Sequence, residues 1–152
     1  EVTSVDAAAH KAAVTFDDDD GQTSGMLPII IPNSLENHDH CLPDIGEDVL
    51  CLFLPTGTEE GFILGSFYAG NVTTPESSVD VRAVTFKDGT RLAYDRSGHK
   101  LTAAVNGDIE ISASGNIRAT SSGTIELQAA GSIAIRSGGN VTITGTNLTL
   151  GQ

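Results

Sequence analysis

The densest run of potential metal ligands is Asn37-His38-Asp39-His40-Cys41, which places two imidazoles, a carboxylate and a thiol within four residues. Imidazole and thiolate are the ligands of zinc and other transition metals, and structural sites complete a tetrahedron with donors from elsewhere in the chain. The sequence offers no distant fourth ligand of the right kind, so His38 and His40 are weak metal candidates within what reads as a polar loop. Asp17-Asp18-Asp19-Asp20-Gly21 suggests calcium, but a calcium loop of the EF-hand type needs an Asp five residues before its Gly, and that position is Phe16. Four like charges there read as a solvated turn. No Gly-x-Ser-x-Gly and no phosphate loop occurs. Cys51 alternates within an apolar strand pattern, where a buried thiol is inert, and nothing sets a protonated acid opposite a carboxylate nucleophile. The sequence therefore predicts a protein that is not an enzyme, with no catalytic residue and no cofactor.

Composition narrows the remaining functions. The 152 residues carry 20 Asp plus Glu against 8 Lys plus Arg, a net charge of −12. Nucleic-acid binding through phosphate neutralisation needs clustered cations and is excluded as a partner class. No stretch approaches the roughly 18 to 20 consecutive apolar residues of a membrane-spanning helix. Cys41 and Cys51 are too few for a disulfide scaffold and read as free thiols, with one bridge across this short interval left open. Charge is also unevenly spread: residues 1–78 hold 14 acidic residues and one basic residue, Lys11, while residues 79–152 hold 6 acidic and 7 basic. All five prolines precede residue 79 and no aromatic residue follows Tyr94. The shift in composition predicts a first domain over 1–70 and a linker over 71–80.

Five short runs with β-branched and aromatic alternation lie in the first part, at 2–5, 12–16, 26–31, 48–54 and 61–68. No window there has helical periodicity, and about five strands in this length suit a small barrel of the OB type, with an SH3-like barrel equally compatible with the pattern. Past the linker, the runs 81–86 and 91–94 flank Lys87-Asp88-Gly89-Thr90, and Asp-Gly between two β runs signals a hairpin. A second turn at 95–98 leads into 99–105, so 81–105 is expected to form a hairpin transition.

From there the sequence is periodic. Glycines stand at 107, 115, 123, 131 and 139, eight residues apart each time. The units are GDIEISAS, GNIRATSS, GTIELQAA, GSIAIRSG and GNVTITGT, followed by NLTLGQ, where one residue has dropped out. Third positions are Ile109, Ile117, Ile125, Ile133 and Val141; fifth positions are Ile111, Ala119, Leu127, Ile135 and Ile143. Residues two apart share one face of a strand, so these form an apolar stripe, while Glu110, Arg118, Glu126 and Arg136 point the other way. Each octad reads as one short strand and a turn at Gly107, Gly115, Gly123, Gly131 or Gly139. So short a segment with one narrow stripe has no core of its own, and it is too short for a single-chain β-helix, which needs three or more coils. Three chains wound together resolve this. Each supplies one strand per side of a three-sided prism, the third and fifth positions meet at the axis, and five octads extend the rod by roughly 24 Å. The expected architecture is all-β: an N-terminal barrel followed by an intertwined homotrimeric triple-stranded β-helix over 106–152.

With these motifs in their order, the chain resembles the central spike, or baseplate assembly protein V, of contractile-tailed phages, with relatives in R-type pyocins and the VgrG proteins of type VI secretion. Pro43-Asp-Ile-Gly-Glu-Asp-Val-Leu-Cys-Leu-Phe53 is similar to the family's Pro-x-x-Gly-Glu-x-Val strand entry, and Gly61-Phe-Ile-Leu-Gly-Ser-Phe-Tyr68 to its Gly-Val-Val-Leu-Gly-x-Leu-Tyr segment. Asp88-Gly-Thr-Arg-Leu-Ala-Tyr-Asp95 followed by His99-Lys-Leu-Thr102 is similar to the family's entry into the shaft. The resemblance implies an OB-fold collar, a homotrimeric shaft, baseplate hub and tail-tube proteins as partners, and transient contact with the host outer membrane when the sheath contracts. It places the protein in a virion tail baseplate or an extracellular contractile particle assembled in the bacterial cytoplasm. Some members hold a tip iron through a His-x-His near the C-terminus. No His follows His99 here, so the resemblance carries no iron ligands onto this chain, and the tip is expected to be blunt or completed by a separate PAAR-type protein.

Two other function classes compete. A trimeric receptor-binding or glycan-binding tail fibre predicts aromatic or polar pockets along the shaft, which the lack of aromatics after Tyr94 disfavours. A β-helical polysaccharide-degrading enzyme needs a longer single-chain coil with clustered carboxylates.

Overall fold

The computed structural model describes residues 1–16, 21–55, 60–70 and 72–149. The acidic run Asp17 to Asp20 lies outside them. The described residues are all-β, with no helix, and the chain divides into two compact units, Glu1–Gly107 and Asp108–Gln152.

In the first unit, β1 (Val2–Asp6) and β2 (Lys11–Val14) form an antiparallel hairpin. The Asp6 carboxylate closes its turn by accepting from the backbone N–H groups of Ala8 and Ala9, both at 3.0 Å, and His10 completes it at φ 55°. β3 (Leu27–Pro28) adds to β2. The 26–31 run was expected to be a longer strand, but Pro28 lacks the N–H a ladder needs, and pairing beyond it reduces to one parallel bridge between Ile29 and Ile63.

The second sheet of this unit is the antiparallel pair β4 (Val49–Phe53) and β5 (Gly61–Ser66). It meets the first sheet at two places. Ile30 N–H donates to Ile63 C=O at 2.9 Å, and Val2 exchanges hydrogen bonds with the turn before β4, donating to Glu47 C=O at 2.9 Å and accepting from Gly46 N–H at 2.8 Å. That turn is built from its own side chains: Asp44 N–H donates to the Glu47 carboxylate at 2.7 Å, and Gly46 sits at φ 90°. The sheets stay small and unclosed.

Between them lies the core, Val2, Ala12, Val14, Leu27 and Ile63, with Val5, Phe16, Ile29, Val49, Cys51 and Phe53 packed against it. Phe16 and Phe53 meet edge to face at 5.3 Å. Each fully buried aliphatic side chain contributes about 1.5 to 3 kcal/mol, so this cluster alone gives the unit a core. Among the described residues Ser24 is the buried polar one, and its hydroxyl is satisfied on both sides, accepting from Val14 N–H at 3.0 Å and donating to Gly25 C=O at 2.8 Å.

The third sheet is a meander of β6 (Val81–Thr85), β7 (Arg91–Asp95) and β8 (Lys100–Ala104), antiparallel and in continuous register. Its first turn follows the Asp-Gly signal, with Gly89 at φ 86°. Its second repeats the β1–β2 turn: the Asp95 carboxylate accepts from Ser97 and Gly98 N–H at 2.9 and 3.0 Å, and His99 closes it at φ 50°. Two ion pairs tie the segment read as a linker to this sheet, Glu76 to Arg91 at 2.8 Å and Asp80 to Arg96 at 2.5 Å.

Candidate functional site

The octads make up nearly all of the second unit. Bends fall at residues 106–107, 114–115, 122–123, 130–131 and 138–139, an eight-residue period that coincides with the repeat glycines, and the next falls at Thr146. Between bends the chain is non-helical, and no strand ladder forms among the described residues of 108–149. The whole apolar stripe is bare: Ile109, Ile111, Ile117, Ile125, Leu127, Ile133, Ile135, Val141 and Ile143 are all exposed, from 52% at Val141 to 75% at Ile111. A single chain thus leaves uncovered the residues that its sequence sets on one face.

The glycines add a second observation. None of the five repeat glycines takes a left-handed φ, and a Cβ built on Gly107, Gly115 or Gly131 meets nothing within 4 Å. At Gly123 and Gly139 the nearest atoms are the Ser121 and Ser137 hydroxyl oxygens at 3.8 and 4.0 Å, each of which accepts from the glycine N–H at 3.1 Å. Within one chain, nothing at these corners excludes a side chain. By contrast, a Cβ on Gly61 would lie 2.4 Å from Leu52 O, so that glycine is explained by its own fold.

The entry to the octads is fixed by the first turn of the meander. Asn106 donates from Nδ2 to Asp88 C=O at 2.6 Å and from its backbone N–H to the Thr90 hydroxyl at 3.1 Å. Asp88 in turn accepts from Thr90 N–H at 2.8 Å and Thr90 Oγ1 at 2.9 Å, which holds its carboxyl below the ordinary aspartate value, the backbone N–H counting most. Glu76 is likewise lowered, first by the N–H groups of Ser78 and Ser77 and then by Arg91.

The weak metal candidates lie elsewhere. His38 is exposed and bridges Ser34, while Asp39 is engaged by Asn33, whose Nδ2 donates to Asp39 Oδ2 at 2.8 Å. The His40 ring meets His10 edge-on at 5.3 Å, and the His10 Nε2 is buried without a hydrogen-bond partner. No group of three or more metal-ligating side chains occurs among the described residues. Cys41 is exposed and Cys51 half-buried, both as free thiols; burial pushes the Cys51 thiol up, opposed by the N-terminal ammonium.

Sequence reasoning missed three features. His10 meets His40 only through the fold, and no local signal marks that contact. One face of the meander carries exposed Val84, Leu92, Tyr94 and Leu101, and the outer face of β4–β5 carries exposed Leu50, Leu52, Phe62 and Leu64. The signal for the β4–β5 face was present: Val49-Leu-Cys-Leu-Phe53 is apolar throughout, the mark of a strand with both faces covered. Compared with known proteins, the chain matches no family model and no curated sequence.

Proposed function

We propose that this chain is the structural central spike of a contractile tail baseplate, a homotrimer that pierces the host outer envelope when the sheath contracts. In this reading β1 to β5 form an OB-fold collar, and the octads of three chains wind into a triple-stranded β-helix. The observation that carries it is the bare stripe together with its eight-residue bends. Apolar surface on this scale is stable only when covered, and three stripes facing one axis cover each other while pairing every interior strand edge. The repeat glycines support the same arrangement, because a corner that is open within one chain is where another backbone would pass closely.

The function is mechanical. A narrow, stiff rod concentrates the sheath's force on a small area of membrane. Surface ion pairs among Glu110, Arg118, Glu126 and Arg136 contribute about 0 to 1 kcal/mol each and serve register more than cohesion. The test is the mass of the purified full chain by light scattering, with the same sample run unboiled on an SDS gel. A mass near three chains that persists in SDS is expected; a monomer overturns the reading.

A further inference from the structure

We infer that the outer face of β4–β5 docks a different protein through a segment that alternates lysine or arginine with aliphatic residues. Leu50 pairs with Gly65 and Cys51 with Ile63, so Leu64 is the extra residue of a register shift, and a groove lies beside it. The groove, about 490 Å³, is lined by Leu50, Leu64, Gly65, Ser66 and Phe67. Leu50 is 58% exposed and Phe67 54%, although the opposite face of the same ribbon packs Cys51, Phe53 and Ile63 into the core.

Ser66 and Phe67 also line an adjoining pocket of about 230 Å³ completed by Gly46, Glu47, Asp48, Tyr68 and Val72. Phe67 is held between the two, its N–H donating to Asp48 C=O at 3.2 Å. The apolar groove therefore adjoins a pocket lined in part by two acidic residues, Asp48 and Glu47, the latter's carboxylate also accepting from Asp44 N–H. Patches of this composition are interaction sites, and the carboxylates set the sign of what fits.

Charge disfavours pairing of this face with the same face of a second copy. Residues 1–78 hold 14 acidic residues and the single cation Lys11, so a contact between two such faces would bring like charge against like. A basic partner gains the opposite: steering on approach and a paired charge at the rim. Along an extended segment the aliphatic residues face Leu50 and Leu64, while the long cationic side chains between them point away from the groove and reach round its end to Glu47 and Asp48.

The test uses the full chain and three labelled seven-residue peptides, followed by fluorescence anisotropy at physiological salt. One peptide alternates lysine with leucine, one glutamate with leucine, and one lysine with serine. The lysine–leucine peptide is expected to bind at least ten-fold more tightly than either control. The L50S/L64S double variant, altered only at exposed positions, should weaken it at least ten-fold, and D48N should weaken it several-fold. Equal binding of the three peptides, no binding of the first, or an unchanged affinity in L50S/L64S overturns the proposal. A fall in the light-scattering mass of L50S/L64S also overturns it and assigns the face to a second copy. The peptide readout does not depend on the oligomeric state, so it stands or falls separately from the spike reading.

Discussion

The first five strands and the octads are built from the same aliphatic residue types, yet one region buries them and the other leaves them bare. Val2, Val14, Leu27 and Ile63 sit below 3% exposure because two sheets cross-link around them through Ile29, Ile63 and the Glu47 turn. Ile125 and Ile133 sit above 50% because every contact that would cover them is absent from their own chain. The difference is one of closure. A region whose sheets pack on each other carries its core with it, whereas the octads, in the proposed trimer, take theirs from two further copies.

The strongest way to break this comparison is to charge the stripe. Ile125→Asp with Ile133→Asp puts three unpaired carboxylates per level at the proposed axis, and burying an unpaired charge costs several kcal/mol or more. Light scattering should read a fall from three chains to one, while circular dichroism retains the β signal of β1 to β5. A soluble, SDS-resistant trimer from this variant would contradict the axis placement. Next in size, Ile63→Ala should cost about 2 to 5 kcal/mol by leaving a cavity in the self-contained core. Denaturant titration should show this loss at any protein concentration, unlike a defect in the octads, and concentration dependence would undo the distinction.

Gly123→Ala sharpens the contrast. The chain itself offers only a hydroxyl at 3.8 Å, so the substitution should be harmless to a monomer, yet crowding a close interchain corner should cost about 1 to 3 kcal/mol. Thermal melting of the assembled protein is the readout, and an unchanged Tm removes the glycine argument. The smallest effect concerns pH. Asp88 and Glu76 have folded-state values below their ordinary ones, so their stabilisation is present above the ordinary carboxylate range and is lost as pH falls through the lowered values. Acidification below about pH 4 should therefore loosen the Asp88, Thr90 and Asn106 cluster, seen as lower amide protection at Thr90 and Asn106 relative to the intrinsic exchange rate at that pH, and D88N should flatten that dependence.

Much of the architecture was legible because its signals are local. The Asp88-Gly89 turn announces a hairpin through the backbone conformation it favours, and the octad bends follow the glycine spacing. The bend at Thr146 keeps the eight-residue phase although Asn147 stands where the next glycine would fall. Where the reading slipped, a backbone constraint overrode side-chain pattern: the 26–31 run looks like a strand, but Pro28 leaves only Leu27–Pro28 in the ladder. Composition marks 71–80 as a linker and is blind to the ion pairs that Glu76 and Asp80 make with Arg91 and Arg96. What was not legible is which apolar residues stay outside. Leu50 and Cys51 are neighbours in one apolar run, and only the packing of β4–β5 against β3 decides that one faces the core and the other does not. The approach of His40 to His10 is similarly a product of chain return and has no trace in spacing.

The phase of the bends has one more consequence. Since each corner falls eight residues after the last, excising or adding a whole octad leaves every later corner in step, whereas a change of any other size throws all of them out of register. In the proposed trimer, length is thereby uncoupled from cross-section, and each octad adds a fixed step of about 4.8 Å. Reach can be adjusted in units without redesigning anything upstream of Gly107.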